Sequence, residues 1–261
     1  MSMPSDAAIE MQGVQKVYAG RSMVRALADV DLRIEDREFA VLLGPSGCGK
    51  STLLNVVAGF ETVSGGSVRV FGDPVARPGP DRAVVFQEAA LFPWLTVREN
   101  VAFAPRLKGL GSRECDRLAA EALVQVGLAD FLGALPDQLS GGMKQRVGIA
   151  RALVMEPRVL LMDEPFGALD AQTRLSMQEL LLGVWERRRK TVLFITHDID
   201  EAILLADTLY VMSARPGRIK ARIPVDLPRP RNLDMLASSD FNPLRREVMR
   251  LIREETLARV A

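Results

Sequence analysis

Three short runs, Phe39 to Leu43, Val159 to Met162 and Val192 to Ile195, contain no polar residue. A strand with one face in water alternates, so unbroken apolar runs of this length predict strands covered on both faces of a parallel sheet. Helical pattern precedes or follows each run, which makes the core α/β. Ahead of them, Ile9 to Ile34 alternates loosely and predicts a β region that turns at Gly20. Between about Leu91 and Val154 the pattern becomes helical. Leu118, Ala122 and Val126 share a helical face behind a cap at Ser112, and this stretch predicts a helical subdomain inserted into the strand series. Past Met212, the Pro- and Arg-rich segment Arg215 to Arg231 predicts an extended surface path. In a last helix Asn242 caps, Pro243 suits the first turn, and Leu244, Val248, Leu251 and Ile252 form an apolar stripe.

Composition narrows the class. A chain of 261 residues, 48% of them apolar, is long enough for one domain with a subdomain and a sizeable core. Lys and Arg number 34 against 33 Asp and Glu, a balance that argues against a nucleic-acid protein. The cluster Glu186 to Lys190 reads as a solvated helix end, with basic residues suited to the helix dipole. The two cysteines, Cys48 and Cys115, make no disulfide framework and point to a reducing compartment. Met1 to Glu10 lacks the basic start and apolar stretch of a secretory signal. No uncharged apolar run reaches the ~18 residues that span a bilayer. A membrane role would need spans from another chain.

The chemistry begins where the first apolar run ends. Gly44-Pro45-Ser46-Gly47-Cys48-Gly49-Lys50-Ser51-Thr52 follows that strand and opens a helix, Leu53 to Ala58. It fits the G-x-x-x-x-G-K-[ST] phosphate loop in its strand–loop–helix context. Glycines let successive amides curl around phosphate oxygens, and the helix N-terminus adds positive potential. Lys50 is expected on the β- and γ-phosphates and the Ser51 hydroxyl on Mg²⁺. Cys48 is a small filler within the loop. The second apolar run ends in Asp163-Glu164. An Asp there can hold Mg²⁺ through water, and the next carboxylate can orient or deprotonate an attacking water. A second carboxylate directly after the first favours hydrolysis over phosphoryl transfer to another substrate, from which a kinase excludes water. Leu139-Ser140-Gly141-Gly142-Met143-Lys144-Gln145-Arg146 precedes a further helix, Val147 to Val154. Ser140 can cap it, and the glycines leave amides open, making a second anion-binding helix start.

With these motifs in this order, the chain resembles the nucleotide-binding subunit of ABC transporters over about Ile9 to Met212. The phosphate loop and Asp163-Glu164 are similar to its Walker A and Walker B motifs, and Leu139 to Gln145 is similar to its signature, with Met143 where glutamine is commoner. The resemblance implies a P-loop NTPase (RecA-like) α/β core with an N-terminal antiparallel β region and an inserted helical subdomain. It divides the chain into 1–90 (β region and first part of the ATP-binding core), 91–157 (helical subdomain), 158–212 (second part of the core) and 213–261 (tail with final helix). It implies that Tyr18 stacks on adenine, that Gln87 contacts Mg²⁺ and senses the γ-phosphate, and that Ala168-Leu169-Asp170 is the D-loop. His197, the only histidine, becomes the switch residue that touches the γ-phosphate and positions water. Tyr18 also suits plain packing at a strand end. Two copies would pair head to tail, so that Ser140, Gly141, Gly142, Gln145 and Asp170 of one chain complete the ATP site of the other. ATP closes such a dimer, hydrolysis opens it, and two membrane permease subunits convert the motion into alternating access.

Leu91 to Val101 resembles the importer form of the segment after the glutamine loop, which docks on the membrane subunit; Pro93 and Trp94 equally suit core packing. Ser213 to Ile219 and Pro224 to Arg231 are similar to the nitrate, sulfonate and taurine importer branch. The expectation is therefore an ATPase on the cytoplasmic face of the membrane, powering uptake of a small solute delivered by a solute-binding protein. ABC ATPases of DNA repair or the ribosome carry long coiled coils or two cassettes per chain, which this sequence lacks. An ATP-holding regulatory module is disfavoured by intact Glu164 and His197, and a P-loop kinase by the signature.

Overall fold

The computed structural model describes residues 7–20 and 22–258, so the first six residues of the N-terminal stretch without a signal pattern lie outside the described residues. In chain order the strands are β1 (Ala7–Tyr18), β2 (Val24–Glu35), β3 (Phe39–Leu43), β4 (Gly65–Val70), β5 (Asp73–Pro74), β6 (Arg82–Val85), β7 (Val159–Asp163), β8 (Thr191–Thr196), β9 (Thr208–Met212) and β10 (Ile219–Pro224). The helices are α1 (Lys50–Ala58), α2 (Val97–Leu107), α3 (Ser112–Gln125), α4 (Gly141–Leu153), α5 (Ala171–Arg188), α6 (Ile199–Leu205) and α7 (Phe241–Ala258).

The apolar runs form the middle of a six-stranded sheet ordered β10-β9-β3-β8-β7-β6. Every residue of β3, β8 and β9 is buried, as strands with both faces covered must be. Alternate residues of β3 serve different layers: Phe39, Val41 and Leu43 pack with α5 and the inserted helices, while Ala40 and Leu42 pack towards α1 and the N-terminal sheet. That second sheet is antiparallel, ordered β2-β1-β4-β5, and β2 shows the buried/exposed alternation of a strand with one wet face.

Parallel register fixes where the chemistry gathers. Leu43 lies opposite Thr196, and Asp163 opposite Ile195. The loops leaving β3, β7 and β8 therefore start side by side at one sheet edge, the usual crevice outside the strands' carboxyl ends. Between β6 and β7 the chain makes α2, α3 and α4. A capping box closes the start of α2, with Thr96 and Glu99 bonded reciprocally.

Four local expectations are corrected. Ser112 does not cap α3: Gly111 holds the extended N-cap position, without a side-chain bond, and Ser112 is already helical. Asn242 lies inside the first turn of α7, its amide donating to Ser238 O at 3.3 Å. The cluster at the end of α5 is not simply solvated, because Arg188 and Lys190 both pair with Glu156 and Arg188 donates to Gln125. The segment from Arg215 to Arg231 is not a mere surface path. It contains β10, and Arg231 is only 5% exposed. The Arg231 guanidinium donates to the carbonyls of Ile203, Leu204 and Ala206 at the C-terminal end of α6 and to those of Val225 and Leu227. Burial pushes its pKa down to about 10, so it stays a cation at neutral pH, satisfying carbonyls that the helix end leaves without intrahelical donors. Among the described residues no helix is long and apolar enough to cross a membrane.

Candidate nucleotide site

The turn from β3 into α1 is shaped by what glycine alone permits. A side chain at Gly44 would sit 3.0 Å from both Cys48 Sγ and Met212 Cβ. Gly49 has φ +108°, and a Cβ there would lie 2.9 Å from the Ala26 carbonyl on β2. Gly49 therefore suits only a residue without a side chain, while at Gly44 the neighbouring Cys48 and Met212 would have to yield by a few tenths of an ångström. Gly49 also stands at the N-cap of α1 without a side-chain cap bond, so the first-turn amides face the loop, the arrangement that binds anions. Cys48 is 1% exposed and burial pushes its thiol pKa up; it is a neutral filler. Lys50, 5% exposed, turns its ammonium into the loop, donating to Gly44 O at 2.8 Å and Pro45 O at 3.3 Å.

The acids meet this loop across the sheet edge. Ser51 Oγ donates to Asp163 Oδ1 at 3.1 Å. Burial raises the Asp163 pKa, opposed by the Ser51 bond. Glu164 adopts φ +43°, uncommon outside glycine, held by its amide bond to Ile195 O at 3.0 Å. Its Oε1 lies 3.9 Å from Lys50 Nζ and its Oε2 2.9 Å from His197 Nδ1. Three loops thus bring Lys50, Ser51, Asp163, Glu164 and His197 together. The donor set fits a nucleoside triphosphate with Mg²⁺: an amide-lined glycine loop, a buried ammonium, and a hydroxyl beside a carboxylate, the hard oxygen ligands that Mg²⁺ takes with phosphate oxygens and water.

Tyr18 is half-buried, its hydroxyl 3.5 Å from Thr52 Oγ1 and its ring 4.9 Å from Lys16 Nζ. Gln87 is exposed, and its amide nitrogen would lie 3.2 Å from a Cβ at Gly167, in the loop just after Glu164. The signature residues face elsewhere. Ser140 caps α4 by accepting from Met143 N, and a Cβ on Gly142 would lie 2.5 Å from Thr173. Asp170 caps α5; the Thr173 hydroxyl and amide hold its carboxylate below the usual range. Gln145 is 3% exposed and donates to Phe86 O at 3.0 Å, so its side chain is turned into its own chain. Together with Arg151, which donates to Ala89 O and Ala90 O, it straps α4 to the segment carrying Gln87. Beside that segment Trp94 is 73% exposed, and the Phe92 ring stands 4.6 Å from that of Phe103.

Two arginines outside the motifs also reach the loops of the site. Arg174 at the start of α5 donates to Leu169 O and lies 3.7 Å from Asp198, next to His197. Arg215 donates to Gly47 O, on the phosphate loop itself. Its segment, Ser213 to Ile219, stands out in the sequence, but nothing in its local pattern tells that it folds back on a loop 168 residues away.

The chain is similar to known proteins along most of its length. The family described as "ABC transporter" matches residues 27–167. The nitrate import ATP-binding protein of Synechocystis sp. is 48% identical over 221 residues, 84% of this chain and 83% of the relative. The taurine import ATP-binding protein of Chromobacterium violaceum is 56% identical over 213 residues, 82% of this chain and 81% of the relative. Among solved structures, a dimeric ATP-binding cassette in a post-hydrolysis state, bound to ADP and Pi, superposes with a TM-score of 0.74 at 32% identity, covering 84% of this chain and 99% of that one.

Proposed function

Since this chain belongs to the ABC transporter family, we propose that it is the ATP-hydrolysing subunit of an importer for a small solute of the nitrate, taurine or aliphatic sulfonate type. The observation that carries the chemistry is the convergence of Lys50, Ser51, Asp163, Glu164 and His197 from three adjacent strand ends. In this reading residues Gly44 to Thr52 wrap the phosphates and Lys50 moves from its loop carbonyls to the β- and γ-phosphate oxygens. Tyr18 lies under the adenine. Ser51, Asp163 and Gln87 would hold Mg²⁺, which when bound would supply positive charge against the phosphate oxygens. Glu164 takes a proton from the water that attacks the γ-phosphorus, as the bond to the bridging oxygen breaks and ADP leaves. His197, hydrogen-bonded to Glu164, keeps that carboxylate and the water in line.

The signature residues have their polar contacts away from the phosphate loop of their own chain. That supports an arrangement in which Ser140, Gly141, Gly142 and Asp170 serve the ATP of a second copy placed head to tail. Gln145 contributes by fixing α4 against Phe86. The exposed aromatic patch around Trp94 is the docking face for one permease subunit, so that two permease subunits serve the pair of copies and hold them peripherally on the cytoplasmic face of the cell membrane. A solute-binding protein would deliver the cargo. The test is phosphate release from Mg-ATP by the transporter reconstituted with candidate binding proteins. Stimulation by the nitrate-, taurine- or sulfonate-loaded form supports the reading, and turnover that none of the three stimulates removes that substrate class.

A further inference from the structure

The C-terminal helix reaches both sides of the nucleotide site. Phe241, Val248 and Leu251 bury one face of α7 against the core. From that anchored helix Arg245 grips Asp200 with two hydrogen bonds, Nε to Oδ1 at 2.6 Å and Nη2 to Oδ2 at 2.7 Å. Asp200 is in the first turn of α6, where its amide and that of Glu201 are capped by Asp198, the residue directly after His197. Ten residues along, about 15 Å of helix, Glu255 accepts from Ala214 N at 2.8 Å and pairs with Lys220 at 2.7 Å. Ala214 precedes Arg215, whose Nε donates to Gly47 O at 3.2 Å. The same loop is stitched to β2 through Gly217, which donates to Ala26 O and accepts from Ala28 N.

We propose that α7 is a brace across the ATP site, with Arg245 positioning the His197 loop and Glu255, through Ala214 and Arg215, positioning the phosphate loop. The proposal rests on the ATPase reading above and gives its tail a defined task. A two-pronged arginine–carboxylate grip fixes orientation as well as distance. Loss of the Arg245 grip frees the turn that leaves His197 and acts on chemistry. Loss of the Glu255 grip frees the loop that presses on Gly47 and acts on nucleotide binding. The two ends of one helix therefore control different kinetic parameters.

The experiment compares the full chain with Arg245→Ala, Glu255→Ala and the exchanged pair Asp200→Arg with Arg245→Asp. In the assembled transporter, Arg245→Ala lowers kcat about threefold to tenfold with KM for ATP retained, the scale of one lost hydrogen-bonded contact. Glu255→Ala raises KM for ATP by a similar factor with kcat retained, and the exchanged pair recovers kcat. Amide hydrogen exchange on the nucleotide-free chain gives a readout independent of turnover. Exchange quickens at residues 197–201 in the first variant and at residues 46–49 in the second. Unchanged exchange at both segments overturns the brace, and so does a fall in melting temperature with kcat and KM untouched. If the wild-type chain fails to hydrolyse ATP, the ATPase reading falls while the exchange pattern still decides whether α7 braces these loops.

Discussion

Lys50 and Cys48 occupy the same loop and make opposite demands on experiment. The Lys50 ammonium is buried against the Gly44 and Pro45 carbonyls and stands near Glu164. Lys50→Ala takes away the charge proposed to meet the triphosphate, so ATP affinity should fall and turnover in the assembled transporter should drop at least about a hundredfold, on the scale of losing one electrostatic donor to a transition state. Near-normal phosphate release by that variant would remove Lys50 from the site. Cys48 is sealed in the loop with its thiol pKa raised, and Cys115 is fully buried, its thiol within 3.4 Å of Leu110 O. Thiolate is the reactive form, so maleimide should label neither cysteine in the folded chain at neutral pH and both after denaturation. Mass spectrometry of the labelled protein decides this, and rapid native labelling of Cys48 would mean an open loop.

At the scale of elements, the tail and the aromatic patch make separable predictions. Arg231 fills the C-terminal end of α6, and Arg231→Ala leaves buried carbonyls without donors. A cost of about 3 kcal/mol is expected from hydrogen bonds to a charged group, a fall of roughly 6–12 °C in Tm for a chain of this size. Trp94 behaves differently because it is 73% exposed. Trp94→Ala should leave the melting temperature of the isolated chain nearly unchanged and weaken capture of the permease; a destabilised chain with normal capture would return Trp94 to core packing. The contrast also shows what was readable from sequence. Strands such as β3 and β8 carry their burial in their own composition, and the α/β fold with an inserted helical segment was legible from them. Arg231 was not, because a Pro- and Arg-rich segment reads as solvated until the carbonyls it satisfies are known. Ser112 and Asn242 failed as caps for a smaller reason: helix starts shift by a residue or two. The phosphate loop and the acidic pair were legible as motifs. The inward turn of Gln145 to Phe86 O and the reach of Arg215 to Gly47 depend on tertiary partners that no local pattern encodes.

At the scale of the whole molecule, the proposed head-to-tail pairing leaves one chain with half of each of two ATP sites. Within the chain, the phosphate loop and acids converge, while Ser140 and Asp170 keep to their own helix starts. A second copy is what would join them. Glu164→Gln keeps the shape of the side chain and removes its ability to take a proton, so ATP bound between two copies should persist. The decisive measurement is the mass of this full-length variant by light scattering during size exclusion in Mg-ATP, with and without a further Ser140→Arg substitution. The expected species is a dimer, twice the 28.7 kDa of one chain, that reverts to monomer with Ser140→Arg while each monomer still binds ATP. A Glu164→Gln chain that binds ATP yet stays monomeric, or a dimer indifferent to Ser140→Arg, would contradict it.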